Sequence, residues 1–368
     1  MNSFVNPEIQ GRSVALLLSD LGYNRVACRR RIVAATDLER VDDVMDLNPK
    51  PGVRCFDVGG SKIVAANVSL DGSVSELVRV KTPIDDFERF CRSIQALCTD
   101  DHSPICLSIA GVINPSTAMI TSANIPCLSG RKLSLELNRY LSRPVTLIND
   151  ANAFALAEAR YGKASGHDIV LAIILGTGVG GSIVVNRQIL GGVNGNAGEW
   201  GHSAATALRT AAVLPKLSCN CGQSACVDTL GGARGLERLY RHFALIRSGN
   251  EESNTPVPSS PDCFELDSES ILKAWSNREP LALHVVDIWL DIVGGALVSA
   301  INLLGASIVA VGGGLANNEA LISALDKEVR QRCLNSYATP LLYTAVGGAE
   351  SALVGAAIAA RHPTNQAV

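Results

Sequence analysis

Cys219, Cys221 and Cys226 stand in a Cys-x-Cys-x4-Cys pattern. Three thiolates so close in sequence can converge on one tetrahedral ion, and soft sulfur ligands in that geometry favour zinc. Buried thiols with no ligand would be the bland explanation, but it accounts poorly for three cysteines inside eight residues with Gly222 among them. His202, at the end of Gly198-Glu199-Trp200-Gly201-His202, is the candidate fourth ligand, although the chain has five other histidines.

A second chemistry is written in glycine. Phe56-Asp57-Val58-Gly59-Gly60-Ser61-Lys62 ends an apolar run with two glycines, which let backbone N–H groups approach phosphate closely. Asp57 could hold hydrated Mg2+, and Lys62 could offset phosphate charge. One Gly-Gly turn is commonplace in hairpins. Its repetition at Gly176-Thr177-Gly178-Val179-Gly180-Gly181 makes a nucleotide phosphate site between two lobes the better reading. A third run, Gly312-Gly313-Gly314, offers bare backbone against which an adenosine could lie.

Asn149-Asp150-Ala151-Asn152 closes another apolar run. A helix cap needs one such residue, and here three polar side chains crowd one strand end. An aspartate placed there could accept a hydroxyl proton.

Alternating elements must position these groups. Strands are expected at 53–58, 63–69 and 74–80, a helix at 85–98, then strands at 105–109 and 145–148. A second meander follows at 169–175 and 182–186, so strand, glycine turn and strand occur twice. Such a duplication implies two related α/β lobes with a cleft between them. Helices are expected at 232–246 and 280–304, a strand at 307–311, and an Ala-rich closing helix at 349–361 with Gly355 inside it. The polar stretch 248–262 reads as an exposed loop. Residues 1–50 read as two helices, 7–21 and 25–47, ended by Pro49-Lys50-Pro51-Gly52.

Composition narrows the function classes. The 368 residues suffice for two compact lobes. With 32 Lys+Arg against 35 Asp+Glu and 4% aromatic residues, the chain lacks the basic footprint and stacking rings of a nucleic-acid binder. Residues 1–50 balance seven basic against seven acidic side chains, so a DNA contact through Arg29-Arg30-Arg31 is the weaker reading, though not excluded. No apolar stretch runs unbroken to membrane-spanning length, since 292–316 is interrupted by Asn302 and six glycines. Met1 is followed by no signal-like pattern, so a soluble, cytoplasmic protein is expected. The eleven cysteines are odd in number and mostly scattered, as reduced thiols would be.

Taken in order, Asp-x-Gly-Gly-Ser-Lys, Asn-Asp-Ala-Asn, Gly-Thr-Gly-x-Gly-Gly, Gly-Glu-x-Gly-His and Cys-x-Cys-Gly-x3-Cys resemble the ROK family of sugar kinases and sugar-responsive repressors over residues 53–362. Within it, the run 174–181, the 16 residues between His202 and Cys219, and the run 230–243 look most like bacterial N-acetylglucosamine kinases. The resemblance implies a two-lobed actin-like, ribonuclease-H-like fold of the ASKHA type. The helical extension 1–50 would precede a small lobe, 51–148, to which a helix at 350–362 returns, and a large lobe, 149–349, carrying the zinc loop.

By the same resemblance Asp150 is the catalytic base, and Gly111, Asn124, Asn149, Glu199, His202 and Asp228 bind the sugar. Asp57, Gly59 to Lys62, the turn Gly176 to Gly181, and Gly312 with Gly313 hold Mg-ATP. His202, Cys219, Cys221 and Cys226 hold a structural zinc. Three positions depart from the family pattern: Asp228 replaces the usual Glu, one methylene shorter; Ser61 replaces a Thr; and Cys127 or Leu128 stands where an aromatic is usual. The expected activity is ATP-dependent phosphorylation of the 6-hydroxyl of an amino sugar by a homodimer. The alternative is a sugar-responsive repressor.

Overall fold

A computed structural model of the full chain describes residues 52–98, 103–122, 124–247, 266–334, 337, 340–345 and 347–362. The helical extension expected at 1–50 and the loop expected at 248–262 lie outside the described residues.

Three strands open the described chain as an antiparallel meander, β1 (Val53–Val58), β2 (Lys62–Val68) and β3 (Val74–Lys81). Helix α1 (Phe87–Ala96) is capped by Asp86, whose carboxylate accepts from Arg89 N, and carries the chain to β4 (Ile105–Ile109), parallel to β1. A short hairpin, β5 (Val112–Ile113) and β6 (Ile120–Thr121), and helix α2 (Leu133–Leu141) precede β7 (Val145–Asn149), parallel to β4. The sheet order is β3-β2-β1-β4-β7.

The chain then repeats the plan. After helix α3 (Asp150–Tyr161), β8 (Ile169–Leu175), β9 (Val179–Val185) and β10 (Gln188–Ile189) form a second antiparallel meander. Helices α4 (Val227–Gly231), α5 (Ala233–Arg247), α6 (Ser268–Ser276) and α7 (Pro280–Leu304) lead to β11 (Ile308–Gly312), parallel to β8. Helix α8 (Glu319–Arg332) leads to β12 (Leu342–Thr344), parallel to β11, and helix α9 (Gly348–Arg361) closes the chain. The order β10-β9-β8-β11-β12 matches the first sheet strand for strand, so the duplication extends from the glycine turns to whole sheets.

Packing follows from which faces are apolar. Strand β8, Ile-Val-Leu-Ala-Ile-Ile-Leu, is apolar throughout because both its faces are covered. One face meets α5 to α8 in a core around the fully buried Trp289, whose Nε1 donates to Gly231 O at 2.9 Å. The other face shares a core with α3, α9 and the β1 side of the first sheet. The opposite face of the first sheet is covered by α1 and α2. Two helices rich in alanine therefore lie between the sheets, where small side chains permit close approach. Helix α7, at 25 residues, is long and apolar enough by length and composition to cross a membrane, a feature not evident from the interrupted stretch at 292–316. Its Val285, Val286, Ile288, Trp289, Ile292 and Val293 are buried in the core, which accounts for that apolarity.

Candidate active site

The joint between β7 and α3 faces an open cleft lined by Val112, Ile113, Asn149, Asn152, Gly181, Gly195, Ala197 and Glu199. Asn149 is the cap of α3, its Oδ1 accepting from Asn152 N at 3.0 Å. Its Nδ2 donates to Gly111 O at 2.9 Å and to Asp150 Oδ1 at 3.1 Å. Asp150 Oδ1 also accepts from Ala151 N at 2.9 Å. Capping and orienting thus fall to Asn149, which leaves Asp150 at the mouth of the helix with its carboxyl aimed by two donors. Burial pushes the Asp150 carboxyl up to about 6, with the Glu199 charge adding to the rise and the hydrogen bonds opposing it.

Asp57 ends β1 on the same side. Its carboxyl is also pushed up to about 6, first by burial and then by Asp150, against the lowering effect of a hydrogen bond from Ser108 and of Lys62. The parallel register pairs Asp57 with Ser108, whose Oγ donates at 3.4 Å. The first glycine turn is pinned by Gly59 N to Lys62 O at 3.0 Å and by Thr82 Oγ1 to Gly59 O at 2.7 Å. Gly60 lies against Asn124, where an added Cβ would stand 3.0 Å from the Asn124 Cβ. Ser61 and Lys62 are exposed beside it.

The second glycine turn joins β8 to β9 with Thr177 exposed at its tip. Gly313, at φ +90°, packs its backbone directly on Leu175 and Gly176, so close that a Cβ there would stand 2.5 Å from the Leu175 carbonyl oxygen. A left-handed backbone and a missing side chain are both needed there. That contact brings the Gly312 to Gly314 run beside the Gly176 turn.

His202, Cys219, Cys221 and Cys226 converge with their ligand atoms within 4.8 Å of one another. Cys221 Sγ and Cys226 Sγ are 3.7 Å apart, and Cys219 Sγ is 3.5 Å from His202 Nδ1. Ligands about 2.3 Å from a tetrahedral zinc stand roughly 3.7 Å apart, so the donor set and its spacing fit that ion. His202 turns its other nitrogen, Nε2, to within 3.6 Å of Glu199 Oε2. Burial raises the Glu199 carboxyl, the His202 charge lowers it, and Asp228 raises it further.

The structure thus puts Asn149 and Glu199 in the lining of the cleft, with Gly111 and Asp150 hydrogen-bonded to Asn149 and His202 beside Glu199. It places Gly60 of the first glycine turn against Asn124, and Asp57 where the Asp150 charge acts on it. Asp228 Oδ1 accepts from Val179 N at 2.8 Å, and its Oδ2 lies 3.8 Å from Cys219 Sγ. Two further polar residues take part: Asn152, which belongs to the Asn-Asp-Ala-Asn motif but has no role of its own by resemblance, and Ser108, which the sequence does not single out. Asn152 lines the cleft and accepts from Ser182 Oγ at 2.6 Å, and Ser108 supports Asp57. The signal for Ser108 is a polar residue inside an apolar run, Ile-Cys-Leu-Ser-Ile.

Two meander-plus-parallel sheets with a cleft at their strand ends define the actin-like fold, also found in a ROK family glucokinase from Streptomyces griseus solved with glucose and AMPPNP. That structure is 27% identical, superimposes with a TM-score of 0.66, and covers 84% of this chain and 99% of its own. Residues 53–362 match the ROK family, and the chain belongs to it. An N-acetylgalactosamine kinase, AgaK, of Shewanella sp. is 30% identical over 314 residues, 82% of this chain and 94% of its own. An N-acetyl-D-glucosamine kinase of Pasteurella multocida is 32% identical over 82% of this chain and 97% of its own. Against these relatives the repressor reading is the weaker one.

Proposed function

We propose that this chain is a cytoplasmic, ATP-dependent kinase for the 6-hydroxyl of N-acetylglucosamine or a related amino sugar. The observation that carries the proposal is the Asp150 carboxyl, held at the start of α3 by Asn149 and Ala151 N beside the cleft that Asn149 and Asn152 line, with its pKa raised toward neutrality. Asp150 takes the proton from the sugar 6-hydroxyl as that oxygen bonds to the γ-phosphorus, and the bond from that phosphorus to ADP breaks in line. Asn149 holds the Asp150 carboxyl in place, while Glu199, Asn124 and His202 Nε2 orient sugar hydroxyls. The turns Gly59 to Lys62 and Gly176 to Gly181 receive the phosphates, and Gly312 with Gly313 receive adenosine. Asp57 would hold Mg2+, which when bound neutralises charge on the transferring group. A coupled ADP-release assay over N-acetylglucosamine, N-acetylmannosamine, glucose and fructose tests the reading, and no sugar-dependent ADP release from any of them would reject it.

The raised carboxyl gives that assay a pH signature. A base with a pKa of about 6 is ionised above that value and protonated below it. The value of kcat/KM should therefore fall about tenfold per pH unit below about pH 6 and level off above it. A profile flat down to pH 4.5 would show that a carboxyl of ordinary acidity, or none, takes the proton.

We further propose that His202, Cys219, Cys221 and Cys226 hold one structural zinc that fixes the loop presenting Glu199. Cys221→Ser should release the metal and raise the sugar KM more than the nucleotide KM. Elemental analysis of protein purified without chelator, showing less than about 0.1 zinc per chain, would remove the idea.

A further inference from the structure

Asp228 follows the last cysteine by two residues and sits in the first turn of α4. A sugar contact is what the family pattern assigns to this position, yet the shorter side chain here reaches the glycine turn between β8 and β9. Asp228 Oδ1 accepts the Val179 N–H at 2.8 Å, and it lies so tightly against Gly178 that a Cβ on Gly178 would overlap it. Other contacts bind the same turn to the segments flanking the cysteines. Trp200 Nε1 donates to Gly180 O at 3.0 Å, and Ala233 N donates to Gly176 O at 2.7 Å. The turn is thus gripped from both flanks, and Asp228 supplies the charged member of that grip.

We infer that Asp228 is a positioning residue for the nucleotide: it holds the Gly176 to Gly181 turn in its phosphate-receiving shape and does not act as a sugar ligand. The inference rests on the kinase reading of that turn. A hydrogen bond from a backbone N–H to a carboxylate is strong, and its loss leaves the Val179 N–H to reorganise. The affected ligand should be the one that this backbone faces.

The test measures the dissociation constant for a non-hydrolysable ATP analogue and, separately, for N-acetylglucosamine, by calorimetry on the full chain and three variants. Asp228→Ala should weaken the ATP analogue by about tenfold while sugar affinity stays within about twofold. Asp228→Asn keeps an acceptor oxygen at the same reach and should recover most of the nucleotide affinity. Asp228→Glu, with no room against Gly178, should again weaken the nucleotide, whereas a sugar ligand restored to family length should tighten sugar binding. Circular dichroism checks that each variant is folded, and the folded Asp228→Asn and Asp228→Glu pair decides the matter if Asp228→Ala is not. Loss confined to the sugar, or equal loss for both ligands, overturns the inference and leaves the kinase reading standing. A parent protein that binds no nucleotide overturns both together.

Discussion

Asp150→Asn is expected to lower kcat by about 10²- to 10⁴-fold while leaving sugar affinity within a few-fold of the parent. The amide is nearly isosteric with the carboxylate and still offers an oxygen to Ala151 N, which Asp150 Oδ1 accepts at 2.9 Å. What it lacks is the capacity to take a proton. The competing explanation, that Asp150 serves only as a helix cap, is weakened because Asn149 already fills that role through Asn152 N. Were Asp150 a cap, the variant would change stability by at most about 1 kcal/mol and turn over almost normally, since Asn caps about as well as Asp. Measuring kcat and Tm on the same variant separates the two. Turnover close to the parent rate would dismiss Asp150 as the base.

The parts of the molecule legible in the sequence are those whose signal is local. Strand β8 is an uninterrupted apolar run ended by glycine, and the meander from β1 to β2 turns at Gly59-Gly60, so both lobes and their duplication show in the chain itself. The cysteines are close in sequence and the structure places them together with His202. Elements set by tertiary contact were not legible. Helix α2 is preceded by Lys132, which makes no side-chain cap, and followed by Ser142 in the left-handed region, so neither end carries the usual signal. Strand β12 has three residues, and its place is fixed by pairing with β11. In the site, the link from Ser108 to Asp57 depends on the register of two parallel strands 51 residues apart in sequence, and that from Asn152 to Ser182 spans 30. The direction of Asp228 is likewise a product of how α4 docks on the β8–β9 turn, which its residue type does not reveal.

The tight joint between the sheets yields the second large effect. Helix α9 crosses α3 at Gly355, where an added Cβ would overlap the Ala153 carbonyl oxygen. Two terms oppose each other in Gly355→Ala. Alanine is the better helix former by about 1 kcal/mol, which favours the variant. Against it, the methyl group meets backbone, which cannot rotate aside as a side chain could, and overpacking a core typically costs about 1–3 kcal/mol even where side chains can adjust. The clash should win, so the variant should melt several degrees below the parent. Its effect should not stop at stability. Ala153 lies three residues from Asp150 on the same helix, so a shift of α3 away from α9 moves the candidate base relative to Asp57 and the first glycine turn, and such displacements are costly for an in-line transfer. We therefore expect kcat to fall as well, measured at a temperature where the variant is fully folded. Gly52→Ala is the control: its methyl would meet nothing closer than the Val68 carbonyl oxygen at 3.4 Å, an ordinary contact, and Tm should hardly move. A Gly355→Ala protein that melts at or above the parent temperature would mean that helix propensity outweighs the crossing, and that α3 and α9 do not meet as closely as the geometry requires.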